Sequence, residues 1–456
     1  MARVWVLGVG SFAHAMAQIC REDGAEVHTY LTRNYGHYGA SLCGEVYEAR
    51  RHPQLLGLFD KHPPDLVIPM SIDWQTQSWG PDLVQRGIPI LSPVREATQL
   101  EVDRDFAMRL CEQYGIPIPR SYYARNRLEA EEIIRNDPKP YVLKNPICSP
   151  FSPVHTIVCE TVEDTWGWLR CVDYAEGLFL QEYLGNVEAG HFVFVSNGEI
   201  ISQISNQEYK RAFTGNMGPV AGAPLGGIVE QDPTDRYGLA KDLICPLQPW
   251  LKKVNFYGPL QVTAMRQQDR WVPIEYNVRM GVTSGALWLR MLENPVDTLC
   301  AVANNQTVKT KWRDSIQAGG TLTLAGYGYP YIVEDVPPLP VRIEGEIDCD
   351  LWWNEVRSDS LGIYTESHKG LDKGHRIADV NGLGKTVEEA LQSAYQNMSK
   401  LHCLHSYFRT DVGQTLLSKE VGYNPTKFLR FPAFVFGQVQ GVFIWGIWRD
   451  SPRDDL

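Results

Sequence analysis

From Arg3 to Leu91 short apolar runs alternate with helical stretches, and this alternation restricts the opening of the chain to a parallel sheet with right-handed crossovers. The pattern predicts strands over Arg3–Val9 and Glu26–Thr32, a helix near Ala13–Glu22, and short strands at Asp65–Pro69 and Ile88–Leu91. The turn Gly8-Val9-Gly10-Ser11-Phe12-Ala13 fits GxGxxA between a strand and a helix. One reading is a dinucleotide fingerprint, hence hydride transfer. The second strand then lacks its terminal acid and ends in Tyr30-Leu31-Thr32-Arg33, an arginine that suits the 2′-phosphate of NADP. The other reading, preferred here, is a tight turn that aims helix N-terminal N–H groups at another anion.

A second segment carries chemistry. In Val272–Gly281, VPIEYNVRMG, an apolar strand ends in Glu275, with Asn277 and Arg279 following at intervals of two. Alternate residues of a strand face the same side, so the three side chains can share a site. Two hard oxygen donors and a fixed cation suit Mg²⁺ on a polyphosphate, with the guanidinium on a phosphoryl group or an acyl phosphate. A solvated edge strand is the plainer alternative.

The chain has 456 residues, too many for one core. Its 43 Lys plus Arg against 54 Asp plus Glu give a net charge of −11, which argues against a general nucleic-acid binder. The ten cysteines are scattered without a CxxC pair, as in a reducing compartment. In LHCLH, His402, Cys403 and His405 fall in a run read as helical, and so as a packed helix face rather than a zinc site. Met1 leads directly into a strand with no signal-peptide pattern, so a cytoplasmic location is expected. Phe428–Trp448 is very apolar, but Arg430, Pro432, Gln438 and Gln440 fit short strands better than a membrane span. No membrane or nucleic-acid partner is expected, and the protein is expected to be a monomer or homodimer.

Helical spacing over Ala97–Gly115 is followed by strand-rich, mixed sequence from Pro140 to Met291. A third unit holds a strand at Gly319–Ala325, the turn GYGYP, and a helix opened by a capping box of Thr386 and Glu389. Val387, Ala390, Leu391, Ala394, Tyr395, Met398 and Leu401 are expected on one face of that helix. The predicted division is 1–100, 101–310, 311–413 and an aromatic tail, 414–456, packed on the body or on a partner subunit.

Several segments resemble phosphoribosylamine–glycine ligase (glycinamide ribonucleotide synthetase), a member of the ATP-grasp superfamily. They are VLGVGSFAHAMA, LSPVREATQLEVDRDFAMRLCEQYGIPIP, YVLKNP, LQEYLGNVEAGHFVFVSNGE, QISNQEYKRAFTGNMGP, VPIEYNVRMG, GYGYP and the run from HRIADVNGLGK to YFRTDVG, in the family's order from residue 3 to 413. The resemblance implies an α/β protein: a parallel-sheet N-terminal (PreATP-grasp) domain, an ATP-grasp α+β central domain and a mixed α/β C-terminal domain. It implies an ATP-dependent ligase that phosphorylates a carboxylate and lets an amine attack the acyl phosphate. By the same resemblance, Lys144 touches ATP phosphate, with Arg104 near the nucleotide where the family usually has lysine. Gln181, Glu182, Tyr183 and Leu184 form the adenine hinge, and Glu188 holds the ribose hydroxyls. Glu275 and Asn277 ligate Mg²⁺, which Mn²⁺ can replace, and Arg279, Lys210 and Arg211 serve the reaction. Gly10, Phe12, Val220, Val282 and Thr283 line the substrate side.

The departures from the family pattern fall on the substrate side and on the phosphate loop. The family's glycine-rich DGLAAGKG corresponds to PICSPFSPVHT, Pro146–Thr156, where three prolines stiffen the chain and remove N–H donors. In GGREHA the Arg-Glu pair becomes Phe12-Ala13, in GPNTGGMGA the Asn and Thr become Val220 and Ala221, and GDPET becomes Gly281-Val282-Thr283-Ser284-Gly285. DHKR becomes Glu208-Tyr209-Lys210-Arg211. Losing polar partners changes which ligand fits. The expectation is therefore a paralogue that joins a different, less polar carboxylate or amine, in specialised biosynthesis. A drifted purine enzyme and a non-catalytic nucleotide-binding protein are the competing readings.

Overall fold

The computed structural model describes residues 1–148, 156–281, 285–326, 328–330, 337–366 and 376–414. At the N-terminus four parallel strands lie in the order Glu45–Glu48, Glu26–Leu31, Arg3–Leu7, Leu66–Pro69. RVWVL and LVIP are apolar on both faces, as a parallel strand covered on each side requires. Helix Gly10–Glu22 packs Met16, Ile19 and Cys20 against one face. Ile88–Leu91 does not form the expected strand. Pro89 has no N–H to give, and a single bridge, Ile90 to Val67, remains.

The helical lead-in is broken at Asp103, whose side chain accepts from Phe106 N at 2.9 Å and so caps a new helix, Arg104–Gln113. A small antiparallel sheet follows, ordered Ser121–Ala124, Leu178–Glu182, Tyr141–Lys144, Ile157–Val158. Opposite it stands a large antiparallel sheet. Its order is Arg270–Asn277, Gly258–Gln267, Glu188–Ser196, Glu199–Glu208, Gly226–Gln231, Ala318–Gly326, Arg376–Gly384, Asp350–Trp353, with Ser406–Tyr407 also on Ala318–Gly326. One face buries Val193, Leu260, Val262 and Tyr276 under helices Leu239–Leu243 and Gln248–Lys253. The other face sets Phe192, Phe194 and Val229 against Trp288 and the core of the N-terminal domain.

Helix Val387–Met398 covers the C-terminal strands of the large sheet. It approaches closely because position 382 is glycine: a Cβ there would lie 1.9 Å from the Ala390 carbonyl oxygen. Thr386 caps it by accepting from Glu389 N at 3.2 Å. The Glu389 carboxylate, however, accepts from Lys385 N, so the expected reciprocal bond forms one residue upstream. Leu401 is buried with this helix but sits on the short strand Leu401–Cys403. The LHCLH run is therefore strand and turn, not helix. His402 pairs with Glu344 at 3.3 Å, and His405 takes the left-handed conformation that closes the turn. The apolar run Phe428–Trp448, the tail from 415 onward, and Val282 and Thr283 lie outside the described residues. Among the described residues no helix is long and apolar enough to cross a membrane.

Candidate active site

The two sheets meet through a lysine. Lys144 ends its strand in the small sheet and is buried. Its ammonium donates to Gln181 Oε1 at 2.8 Å and to the Ile274 carbonyl of the large sheet at 3.4 Å. Gln181 also gives its amide N–H to Ile274 O at 3.3 Å. The residue expected to serve the adenine hinge thus also orients the lysine. Burial, then the nearby Arg104 cation, pulls Lys144 down to about 7.

Next to Ile274, Glu275 meets two cations. Lys210 Nζ lies 3.2 Å from one carboxylate oxygen, and Arg104 Nη1 lies 3.9 Å from the other. Burial opposes ionisation of Glu275, but Lys210, Lys144 and Arg104 together hold its carboxyl well below the usual carboxylate range. Arg104 is fixed by its own Nε–H bond to the Asn145 carbonyl at 2.9 Å.

Lys210 is the hub. Its ammonium also lies 3.0 Å from Glu188 and 3.5 Å from Glu208. Burial opposes its charge, yet the carboxylates of Glu188, Glu275 and Glu208 hold its pKa far above the ordinary lysine value. The sheet dictates this grouping. Glu188 begins its strand where Met265 of the next strand pairs with it, and Thr263 of that strand pairs with Glu275. Glu208 ends the strand on the other side, and the Lys210 carbonyl is pinned by Ala221 N at 2.8 Å. Asn277 sits two residues beyond Glu275 in the same strand, paired with Gln261. Glu275 and Asn277 thus offer two hard oxygen donors of the kind that Mg²⁺ takes.

Two expected residues are held by partners outside the carboxylate cluster. Arg279 donates from Nε to Glu101 Oε1 at 2.9 Å, while Glu101 Oε2 accepts from Val278 N at 2.6 Å. Arg211 donates to Glu160 at 2.7 Å and to Gly218 O at 3.0 Å, away from the carboxylate cluster. In the hinge, Glu182 pairs with Lys139 at 2.7 Å, Tyr183 N bonds Pro140 O at 3.0 Å, and the Leu184 carbonyl accepts from Gln267.

The substrate-side residues are packed by protein. Gly10 has φ +68°, and a Cβ there would fall 2.4 Å from Asn354 Oδ1. The same asparagine donates to Ser11 Oγ at 3.0 Å, and Ser11 donates to buried Asp379 at 2.6 Å. The first turn of helix Gly10–Glu22 is therefore occupied by side chains of the C-terminal segment, where a dinucleotide pyrophosphate would have to sit. This weighs against the NADP reading. The Phe12 ring faces the Arg376 guanidinium at 5.7 Å, and Tyr329 faces the same cation at 5.7 Å. Val220 pairs with Arg211 in the hairpin of Arg211–Phe213 and Met217–Val220. That hairpin is held to the C-terminal segment by Arg409 donating to Arg211 O at 2.8 Å and by Gly215 N donating to Asp411 at 3.0 Å.

No protein-family model matches the chain. Curated relatives do. The phosphoribosylamine–glycine ligase of Rhizobium meliloti (strain 1021) is 23% identical over 437 residues, which span 92% of this chain and 99% of the relative. That of Ralstonia nicotianae is 24% identical over 439 residues, spanning 91% and 100%. Among solved structures, phosphoribosylamine–glycine ligase from Thermotoga maritima superposes with a TM-score of 0.70 at 23% identity, covering 90% of this chain and 99% of that one. The biotin carboxylase domain of Hydrogenobacter thermophilus 2-oxoglutarate carboxylase, solved with MgADP, ADP and bicarbonate, gives 0.63 at 13% identity over 89% and 91%.

Proposed function

We propose that this chain, a distant full-length relative of the phosphoribosylamine–glycine ligases with the ATP-grasp fold, is an ATP- and Mg²⁺-dependent ligase that joins a carboxylate to an amine through an acyl phosphate. One observation carries the reading. Lys144, Arg104 and Lys210 meet Glu188 and Glu275 where the small sheet faces the large one. A carboxylate becomes electrophilic only when one oxygen is made a leaving group, and phosphoryl transfer supplies that. In this reading Lys144 pairs with phosphate. Gln181, Glu182, Tyr183 and Leu184 border the adenine, and Glu188 serves the ribose. Arg279, held in line by Glu101, faces the transferred group. Glu275 and Asn277 would hold Mg²⁺, which would supply neutralisation of phosphate charge. The substrates differ from phosphoribosylamine and glycine, because Phe12 and Val220 replace polar groups of the family at the acceptor side.

The test is an acceptor screen with ATP, Mg²⁺ and carboxylic acids, trapping acyl phosphate with hydroxylamine and counting ADP. The expected result is ADP release that depends on one class of acid, with little turnover of phosphoribosylamine plus glycine. Robust turnover of that pair would make the protein an ordinary purine enzyme. ATP binding without ADP release for any acid would favour a non-catalytic nucleotide binder.

A second prediction concerns protons. Lys144 at about 7 is largely neutral at pH 8, whereas an unperturbed lysine titrates near ~10.4. A phosphate beside it favours the ammonium, so nucleotide binding at pH 8 draws in a proton. Calorimetry in two buffers of different ionisation heat should show this uptake, and Lys144→Met should abolish it and weaken ATP binding. Unaltered affinity would remove Lys144 from the site.

A further inference from the structure

Lys210 places one ammonium within 3.0 to 3.5 Å of Glu188, Glu208 and Glu275. Glu275 supplies the oxygens that a divalent cation at this site would draw on, together with the amide of Asn277. An ammonium and a divalent metal cannot share them, because like charges this close repel strongly in a partly buried setting. Glu208 is largely enclosed and has no cation partner besides Lys210 among the described residues, so this lysine organises the whole cluster.

The backbone can support an exchange. Lys210 lies in the short link between the strands Glu199–Glu208 and Arg211–Phe213, and its carbonyl is fixed by Ala221 N at 2.8 Å. The Cα position is therefore anchored, while the long side chain is free to redirect its head group by rotamer change. Its side chain is about a quarter exposed, at 23%, so it borders the cleft rather than the core.

We propose that Lys210 is a resident counter-ion for the metal site: its ammonium holds the three carboxylates together until a nucleotide-bound divalent cation takes Glu275, and is then handed to the phosphoryl oxygens. This rests on the nucleotide-site reading above and adds an ordered exchange of cations to it. Metal alone binds poorly because it must evict the ammonium. Metal with nucleotide binds well because the displaced ammonium gains phosphate oxygens.

The test uses the full chain without substrate acid. Free Mn²⁺ is titrated by electron paramagnetic resonance against the parent protein, Lys210→Met and Lys210→Arg, with and without ADP. Without nucleotide, Lys210→Met should bind Mn²⁺ about tenfold tighter or more, since a unit positive charge leaves the site. Lys210→Arg, which keeps the charge, should resemble the parent. The tight binding should vanish in Lys210→Met combined with Glu275→Ala. Adding ADP should tighten Mn²⁺ binding to the parent far more than to Lys210→Met. Equal Mn²⁺ affinity in parent and Lys210→Met overturns the proposal. If Lys210→Met fails to give the parent's circular dichroism, Lys210→Gln takes its place under the same criterion. ADP affinity, measured separately by calorimetry, distinguishes the two readings. Absence of ADP binding sinks the nucleotide site, whereas ADP binding with no Lys210 effect on Mn²⁺ sinks only the exchange.

Discussion

Glu275→Ala should abolish Mg²⁺-dependent ADP release, by at least about 10²-fold, while leaving the protein folded. The rate falls because the strand loses its only carboxylate beside Asn277, and Lys210 and Arg104 lose their shared anion. The fold survives because Lys210 keeps Glu188 and Glu208 as partners, and Arg104 keeps its bond to the Asn145 carbonyl. A coupled ADP assay and circular dichroism check both halves. Glu275→Gln separates charge from shape: it retains an acceptor for Lys210 but weakens metal binding, so it should resemble the alanine variant in rate. An unchanged rate in either variant would put the metal elsewhere.

The second large effect is at Glu101, 178 residues away in sequence from Arg279. Its carboxylate, 4% exposed, accepts from both Val278 N and Arg279 Nε. Glu101→Ala leaves a largely buried guanidinium and a backbone N–H without this partner, and should cost about 3–5 kcal/mol of stability. Glu101→Gln is the informative variant. It preserves volume and one acceptor, but turns an NH₂ group toward one of two donors. Arg279 then shifts, and a displacement of that kind costs on the order of 10²-fold in rate. The loss should fall on kcat, with nucleotide affinity within a few-fold of the parent. Equal kcat in Glu101→Gln would make this ion pair purely structural.

Much of the fold was legible in the sequence because it is written in local patterns. Apolar parallel strands, the glycine turn at Gly10 and the period-two run through Glu275 each depend on near neighbours. What escaped depends on distance. Glu101 looks like any acid on a helical lead-in until the fold brings Arg279 to it. Glu208 stands in the sequence only as the acid of the Glu-Tyr-Lys-Arg segment, yet it joins Glu188 and Glu275 on one ammonium. Asp103 interrupts a continuous helical spacing, because its carboxylate caps the next helix. LHCLH followed a long helix without a proline or glycine to announce its end, and the helix stops at Met398 all the same. At the glycine turn, sequence alone left two anion-binding readings open. Ser11, Asn354 and Asp379 fill that space with the chain's own polar groups.

The strand Ala318–Gly326 pairs along one edge with Gly226–Gln231 and along the other with Arg376–Gly384. Such a join has no slack. The described strands beyond residue 310 cannot swing against the middle without tearing hydrogen bonds out of a single continuous plate, so a gating movement falls to the four-stranded flap that carries Lys144. Cutting the gene near residue 310 would accordingly expose a raw, sticky border in mid-sheet, and neither fragment should express as a well-behaved protein.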